Sequence, residues 1–220
     1  MKQNKTYVVF VDLDKTLLTI NSGKELVLTA YKNKYMSKID FAKAVIISLL
    51  FKFNLTTELK ITMLMAKWLK GISETKFEEL ANFVVETKLI KNFRQSVISE
   101  IEFHKKQGGK IVILSAALTY ICKPLANHLE LDDVICSGME ATNAVFTGKP
   151  IGQICIGKEK EVRARQYCLD NSFELQEAYC YGDSYSDRFI LSEVGNPVCV
   201  EPDKELMELA KKMNWKIVRR

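Results

Sequence analysis

A short run of β-branched and aromatic residues near the N-terminus limits the fold more than any other feature of this sequence. Residues 7–11 read Tyr-Val-Val-Phe-Val without a polar interruption, which is typical of a strand buried on both faces. Such strands occur in parallel sheets that are covered by helices on both sides. Similar apolar runs at residues 110–114 and 178–181 predict two further strands of the same kind.

Helical patterns alternate with strand patterns through the rest of the chain. Shorter strand candidates lie at residues 134–136, 197–200 and 216–218. Helices are predicted at residues 93–106, 120–129, 159–169 and 204–213. Because strands that alternate with helices form βαβ units, the sequence predicts an α/β fold with a doubly wound, mostly parallel sheet.

Residues 21–89 interrupt this alternation, because they are predicted to be helical throughout. Apolar residues recur at helical spacing in two stretches: Phe41, Val45, Leu49 and Phe53 in the first, and Ile61, Leu64, Met65, Trp68 and Leu69 in the second. We expect a helical cap domain at residues 21–89, inserted into an α/β core domain of residues 1–20 and 90–220. The apolar stripes are most simply the insertion's own core, and a lipid-binding face is the alternative.

The charge of the chain is concentrated in this insertion. Residues 21–70 contain nine lysines and only three acidic residues, whereas the whole chain has a net charge of +5. A basic segment suits a phosphorylated substrate or an anionic membrane surface. A solvated helix face is the simpler interpretation of the same pattern.

Composition excludes several classes of protein. The content of 47% hydrophobic and 27% charged residues is ordinary for a globular domain and argues against disorder. No apolar stretch approaches the roughly 20 residues that span a bilayer, so we expect no signal peptide and no stable membrane insertion. The six cysteines are isolated from one another, which favours free thiols and a cytoplasmic location.

Two carboxylates directly follow the first predicted strand. Asp12 and Asp14 are two residues apart, so on an extended chain they point to the same side. Burial of such a pair is costly without a cation, because each negative charge raises the pKa of the other. Mg²⁺ prefers carboxylate and carbonyl oxygens, and one of the two carboxylates could then attack phosphorus. A pair of aspartates in a turn or at a helix start is the structural alternative.

Further polar residues lie at the ends of other predicted strands. Ser115 follows the strand at residues 110–114, where a hydroxyl and the start of the next helix could hold a phosphate oxygen. Asp183 and Asp187 follow the strand at residues 178–181 and could face one metal ion. Open α/β sheets bind ligands beyond the carboxyl ends of their strands, so these groups are expected at one site.

Together these residues resemble the haloacid dehalogenase (HAD) superfamily of hydrolases, and within it the phosphoserine-phosphatase-like branch with a small helical cap. The matching motifs, in chain order, are Asp12-x-Asp14-x-Thr16, Ser115, a lysine, and Gly182-Asp183-x-x-x-Asp187. The resemblance implies a Rossmann-like core and a magnesium-dependent phosphatase. It covers the whole sheet-forming part of the chain.

The resemblance also implies a role for each motif residue. Asp12 corresponds to the nucleophile and a Mg²⁺ ligand, and Asp14 to the general acid/base, whose backbone carbonyl also meets the metal. Thr16 and Ser115 correspond to phosphate-binding residues.

Two more acidic residues and one lysine complete the implied set. Asp183 corresponds to the second side-chain metal ligand, with Asp187 supporting the metal. Lys160 fits the spacing of the phosphate-contacting lysine better than Lys158, which is the alternative.

The chain departs from phosphoserine phosphatases at two points. Asn21 stands where those enzymes carry a Glu that meets the substrate's amino group, and Ala116-Ala117 replaces a Gly-Gly pair after Ser115. L-phosphoserine is therefore not the favoured substrate. The sequence predicts hydrolysis of a small-molecule phosphomonoester through an aspartyl-phosphate, by a monomer or homodimer that binds no nucleic acid. The alternatives are a membrane-surface phosphatase acting on a lysophospholipid-type substrate, and a non-catalytic phosphate-binding module.

Overall fold

A seven-stranded sheet forms the centre of the molecule in the computed structural model, which describes residues 6–52, 55–57, 60, 63 and 67–219. The strands are β1 (Val8–Val11), β2 (Lys110–Leu118), β3 (Asp133–Thr142), β4 (Val145–Ile151), β5 (Tyr179–Gly182), β6 (Asn196–Val200) and β7 (Lys216–Val218). Their order across the sheet is β4-β3-β2-β1-β5-β6-β7. Among these described strands only β3 and β4 pair antiparallel. The predicted α/β fold with a doubly wound, mostly parallel sheet is confirmed.

Helices cover both faces of this sheet. They are α1 (Ser22–Lys32), α2 (Lys38–Lys52), α3 (Glu74–Val84), α4 (Gln95–Lys106), α5 (Thr119–His128), α6 (Lys158–Asp170), the short α7 (Arg188–Leu191) and α8 (Lys204–Lys212). The four helices predicted in the core are present, with ends that agree to within two residues.

The first strand lies in the middle of the sheet, which explains its apolar sequence. Phe10 is in register with Val112 of β2 on one side and with Cys180 of β5 on the other. Val9 and Val11 face one hydrophobic cluster, whereas Val8 and Phe10 face a second. Since both faces of β1 are buried, a polar residue at any of these positions would be desolvated without a partner.

The helices between β1 and β2 pack on one face of the core. Phe77 of α3 is fully buried and meets the rings of Tyr120 and Phe146 edge to face, with centroids 5.3 and 5.4 Å apart. Since Tyr120 lies in the first turn of α5 and Phe146 lies in β4, this contact anchors α3 to the sheet-forming part. The insertion therefore shares a hydrophobic cluster with the core.

The helix α2 is packed on only one side. Ala44 is buried, and the ring of Phe41 stacks on Tyr31 of α1 at a centroid distance of 4.0 Å. Val45 and Leu49, predicted to continue that core stripe, are instead exposed. A four-residue spacing exceeds the 3.6-residue turn, so it drifts by about 40° per step and leaves the packed side.

Part of the predicted apolar pattern lies outside the described residues. This applies to Phe53, Ile61, Leu64 and Met65, while Trp68 and Leu69 belong to a 3₁₀ turn at Lys67–Leu69. Among the described residues, none of the helices is long and apolar enough to cross a bilayer.

The hairpin of β3 and β4 was not predicted, apart from the three residues 134–136. Thr142 pairs with Val145, and the two residues between them, Asn143 and Ala144, have positive φ angles of 52° and 59°. Two consecutive residues with positive φ form the tight turn that connects hairpin strands. The dipeptide typical of such a turn is Asn-Gly, and here Ala144 stands in place of the Gly. The sequence therefore shows only the Asn of this pattern.

The sequence also misleads about His104, which we expect to be solvated beside Lys105 and Lys106. In the structure its side chain is buried, with Nδ1 2.8 Å from the Tyr7 hydroxyl and Nε2 2.9 Å from the Tyr181 hydroxyl. Burial lowers the pKa of His104. The histidine therefore joins α4 to β1 and β5 and is a structural residue.

Candidate active site

Three carboxylates meet at the carboxyl ends of the central strands. Asp12 directly follows β1, Asp183 directly follows β5, and Asp187 lies one turn further on. Each offers one oxygen such that all three atoms lie within 4.8 Å of one another. All three side chains are buried. The arrangement matches the prediction that these acids converge.

The electrostatics of this cluster favour a cation. Burial, together with the charges of Asp12 and Asp187, raises the pKa of Asp183 from 3.8 to about 9. Burial also raises the pKa of Asp12 to about 7, although Lys160 lowers it. Carboxylates held this close must bind protons or a positive ion. Because hard oxygen ligands are those that Mg²⁺ prefers, Asp12, Asp183 and Asp187 fit a magnesium ion.

One lysine is already among these carboxylates. Lys160 lies in the first turn of α6, and its Nζ donates to Asp12 Oδ1 at 2.6 Å and to Asp187 Oδ1 at 2.7 Å. Its side chain is 4% exposed. Burial disfavours the charged ammonium, but the two carboxylates outweigh burial and raise the pKa of Lys160.

The alternative lysine points elsewhere. The side chain of Lys158 is 65% exposed and pairs with the buried carboxylate of Glu161, away from the cluster. Of the two candidates, Lys160 lies at the carboxylate cluster and Lys158 does not.

Asp14 lies in the turn that follows β1, and its side chain is not part of the three-carboxylate cluster. Leu13–Leu17 form a turn closed by the Leu18 N–H on the Leu13 carbonyl at 2.8 Å, with an extended backbone at Asp14 and a positive φ of 61° at Lys15. The Asp14 carboxylate accepts hydrogen bonds from the backbone N–H of Ser22 at 2.7 Å and from Asn21 Nδ2 at 3.0 Å. Burial raises its pKa. The structure therefore holds the Asp14 side chain against the start of α1, outside the three-carboxylate group.

Thr16 supports the cluster from the same turn. Its hydroxyl is fully buried and donates to Asp183 Oδ1 at 3.2 Å. This contact joins the loop after β1 to the loop after β5.

The position of Ser115 differs from the prediction that it follows the end of the strand. It lies inside β2, which continues to Leu118, and α5 begins only at Thr119. Ser115 is two residues past Ile113, the partner of Val11, so it is level with the loop after β1. The pairing of β2 with β3 is irregular between Leu114 and Leu118. This irregularity extends the strand beyond the apolar run, which is why the sequence predicted its end too early.

Gly182 fits tightly beneath Asp187. A Cβ atom at Gly182 would lie 2.8 Å from Asp187 Oδ2 and 3.0 Å from its Cγ. Asp187 Oδ2 also accepts the N–H of Ser184 at 3.3 Å, in a capping box that begins the next turn. The glycine is therefore required for this close approach, and Asp187 is held towards Lys160.

Comparison with known proteins agrees with this geometry. A family model described as haloacid dehalogenase-like hydrolase matches residues 9–192, which is most of the chain. The chain belongs to this family. The predicted family and the predicted class of hydrolase are thereby confirmed.

Relatives of this hydrolase include named phosphatases. A phosphoserine phosphatase of Mycobacterium tuberculosis is 26% identical over 140 residues, which cover 64% of this chain and 44% of that protein. The chain thus spans less than half of the length of that relative.

Solved structures share the fold. A protein of unknown function from Bordetella pertussis matches with a TM-score of 0.85 and 19% identity, over 97% of both chains. A phosphoserine phosphatase with an analogue of a phospho-aspartyl intermediate matches with a TM-score of 0.72 and 14% identity, over 97% of this chain and 92% of that one.

Sequence reasoning missed one residue beside the site of this hydrolase. Arg94 is 8% exposed, and its Nη2 donates to the carbonyl of Lys15 at 2.7 Å while its Nε donates to the carbonyl of Thr16 at 3.1 Å. A third nitrogen lies 4.0 Å from Glu201. Because Arg94 is 78 residues away from Thr16 in the sequence, no local pattern could have indicated the contact.

A cavity of about 940 Å³ opens between the core and the insertion of the hydrolase. On the core side it is lined by residues that include Gly157, Ser184 and Ser186. Thr57 and Met63 of the insertion line the other side. The three carboxylates of the cluster and Lys160 are not among its lining residues, so the cavity lies near the loops of the site and does not open directly onto the carboxylates.

Proposed function

We propose that this hydrolase is a magnesium-dependent phosphatase that cleaves a small phosphomonoester through an aspartyl-phosphate on Asp12. The observation that carries the proposal is the buried group of Asp12, Asp183 and Asp187 with Lys160 bonded to two of them. Such a set combines a nucleophile, a place for a cation and a fixed positive charge.

In this proposal Asp12, Asp183 and Asp187 hold Mg²⁺, together with the backbone carbonyl of Asp14. The ion supplies positive charge that neutralises the phosphoryl group. The raised pKa values of Asp12 and Asp183 support this assignment, because the metal-free cluster carries an unfavourable excess of negative charge.

The nucleophile and the phosphate-binding groups surround one point. Asp12 attacks phosphorus, while the Lys160 ammonium and the backbone N–H groups after Asp12 stabilise the charge on the phosphoryl oxygens. Thr16 and Ser115 bind the same oxygens, at the level of the loop after β1.

Asp14 serves as the general acid and then as the general base. Its raised pKa favours the protonated form that a leaving alkoxide needs. After the leaving group departs, Asp14 takes a proton from the water that hydrolyses the aspartyl-phosphate. The Ser22 N–H and the Asn21 amide orient the carboxylate through both steps.

Substrate selection resides in the insertion. Residues 21–89 form a cap over a core of residues 1–20 and 90–220, and a cavity lined by both includes the loop between Asp183 and Asp187. Asn21 is engaged with Asp14 and Lys24, so an acidic partner for a substrate amino group is missing at that position. A small phosphomonoester other than L-phosphoserine is therefore favoured. A cytoplasmic location, the absence of nucleic-acid partners and a monomeric or homodimeric state stay predictions.

A second candidate is the same reaction on a lysophospholipid-type phosphomonoester at a membrane surface. The exposed apolar side of α2 in the lysine-rich insertion favours it. A comparison of turnover on a water-soluble alkyl phosphate and on lysophosphatidic acid separates the two candidates. Faster hydrolysis of the lipid would favour the second.

The first experiment is hydrolysis of p-nitrophenyl phosphate with and without Mg²⁺. We expect turnover that requires Mg²⁺ and falls by more than about 10³-fold in Asp12→Asn, because the nucleophile is removed. Asp170→Asn, an exposed acid on α6, is the matched control and should retain wild-type turnover.

If turnover is absent, binding of orthovanadate distinguishes the remaining possibilities. Mg²⁺-dependent binding without turnover on any phosphomonoester would indicate the non-catalytic phosphate-binding module. Absence of both would overturn the proposed function.

A further inference from the structure

The helix α2 presents two apolar sides, of which only one is packed. Ala44 and Phe41 face the rest of the insertion. On the opposite side Ile39, Ile46 and Leu49 have exposed fractions of 68%, 57% and 50%. These three residues are spaced by seven and three positions, so they form one stripe along the helix. A stripe of exposed apolar side chains on a helix normally marks an interaction surface.

We propose that the exposed side of α2, the stripe of Ile39, Ile46 and Leu49, docks on the surface of an anionic lipid bilayer. The stripe would enter the boundary between headgroups and acyl chains while the helix lies in the plane of the surface. This proposal does not depend on the proposed phosphatase activity.

The charge of the insertion selects this partner. Lys38 and Lys43 on α2 are exposed, and residues 21–70 contain nine lysines against three acidic residues. Because the chain as a whole has a net charge of only +5, the remaining segments contribute no positive excess. Lysines beside an apolar stripe are attracted by the negative potential of anionic lipids.

Asp40, the one acidic residue of α2, does not oppose this interaction. Its carboxylate accepts from the Ser37 hydroxyl at 2.7 Å and from Lys43 Nζ at 3.5 Å. The negative charge is therefore compensated locally, at the first turn of the helix.

A second copy of the chain is a poorer occupant of this surface. Two lysine-rich insertions brought face to face would repel each other. A stable protein interface also involves roughly 20 residues from each partner, far more than this stripe provides. A bilayer needs no matching shape and carries the opposite charge.

The length of the helix limits the depth of insertion. Within the described part of the chain no helix can span a bilayer. The side of α2 opposite the stripe is packed on α1 and is not free to enter the bilayer. Docking would therefore be peripheral and reversible, and salt should weaken it.

Co-sedimentation with vesicles tests the proposal. We expect the wild-type protein to pellet with vesicles of phosphatidylglycerol and phosphatidylcholine in equal parts, and not with phosphatidylcholine alone. The double variant Ile46→Glu/Leu49→Glu should bind at least about tenfold more weakly, because two charges would enter the apolar boundary. Absence of wild-type binding to the anionic vesicles would overturn the proposal.

A matched control separates docking from a general effect of added charge. Leu169 of α6 is 70% exposed, so Leu169→Glu makes the same kind of change on another helix. It should bind as the wild type does. Equal loss in Leu169→Glu, or unchanged binding of the double variant, would show that the stripe is not the docking surface.

Two further measurements secure the interpretation. Circular dichroism should show that the double variant is folded, because the side chains of Ile46 and Leu49 are about half exposed. If the double variant is not folded, the single variant Ile39→Glu takes its place in the vesicle test. Sedimentation velocity compares the oligomeric state of the wild type and of the double variant. A wild-type dimer that becomes a monomer in the variant would show that the stripe binds a second copy of the chain and would overturn the proposal. Asp12→Asn should bind vesicles normally, so that failure of the phosphatase proposal leaves this test intact.

Discussion

Lys160 Nζ lies 2.6 Å from Asp12 Oδ1, and both side chains are buried. The two residues are 148 positions apart in the sequence and come from α6 and the end of β1. This bond joins the proposed nucleophile to the positive charge that the proposed reaction needs. Lys160 also donates to Asp187. It therefore links α6 both to the end of β1 and to the segment after β5.

Replacement of Lys160 should therefore be far more harmful than replacement of Lys158. Lys160→Met removes the charge that balances two buried carboxylates, and we expect turnover to fall by more than about 10²-fold. Lys158→Met removes one of the two cations that pair with the buried Glu161, outside the carboxylate cluster, and should retain near wild-type turnover. Steady-state kinetics on p-nitrophenyl phosphate measures both. Equal losses in the two variants would contradict the assignment of Lys160.

Asp14→Asn should abolish turnover without loss of Mg²⁺ binding. The amide oxygen can still accept the bond from the Ser22 N–H, but the amide NH₂ group cannot accept the second bond from Asn21, and the amide can neither give nor take a proton in the reaction. Isothermal titration with Mg²⁺ and a turnover assay test the two halves separately. Wild-type turnover in this variant would remove Asp14 from the mechanism.

The stability of the metal-free protein should decrease as the pH rises. The pKa is about 9 for Asp183 and about 7 for Asp12, and both exceed the ordinary value of 3.8. Between pH 3.8 and each raised pKa, the folded state therefore binds more protons at that residue than the unfolded state does. The free energy of unfolding must then fall with rising pH across this window.

Mg²⁺ should reverse this trend, because it replaces the protons on the carboxylates. Thermal unfolding at about pH 5 and about pH 9, with and without Mg²⁺, measures both effects. A metal-free melting temperature that rises with pH would show that these acids are not protonated in the folded state.

Arg94 should act as a positioning residue. It holds the carbonyls of Lys15 and Thr16, so its loss would displace the turn after β1 whose N–H groups face the phosphoryl site. We expect Arg94→Ala to lower kcat by about 10²-fold with a smaller change in KM. Added guanidinium should restore part of the kcat of this variant.

The control for Arg94 is Arg165→Ala, since Arg165 is half exposed and pairs with Glu161 and Glu193. It should leave kcat unchanged. If guanidinium does not raise the kcat of Arg94→Ala while the variant remains folded, a positioning role is contradicted.

Gly182→Ala should weaken the carboxylate cluster. The new methyl group would lie 2.8 Å from Asp187 Oδ2, so Asp187 must move away from Lys160. We expect weaker Mg²⁺ binding and lower turnover, measured by titration and kinetics. Gly23→Ala, whose added methyl comes no closer than 3.4 Å to Asn21 Oδ1, should have little effect. Unchanged Mg²⁺ affinity in Gly182→Ala would argue against Asp187 as a ligand.

The parts of the fold that the sequence predicts are those with a local signal. Residues 7–11 must be buried on both faces, and parallel neighbours then bring Asp12 and Asp183 to one edge of the sheet. The helix that carries Lys160 was predicted at residues 159–169, and the motif spacing favoured the lysine whose Nζ lies among the carboxylates.

The parts that were missed depend on contacts between distant residues. Arg94 meets the turn after β1 only in the folded chain, and the neighbours of His104 in the sequence are charged although its spatial neighbours are two tyrosines. Ser115 lies in a strand that continues past its apolar run. The hairpin turn at Asn143 and Ala144 lacks the glycine that would have revealed it.

The hydrogen bonds that hold Asp14 come from the insertion and not from the sheet. Ser22 and Asn21 belong to the start of α1, so any rotation of this helix away from the core would release the carboxylate. The proposed acid would then lose its orientation whenever the insertion opens. An open enzyme could exchange its substrate and product freely, yet it would be unable to protonate a leaving group until closure rebuilt these two bonds.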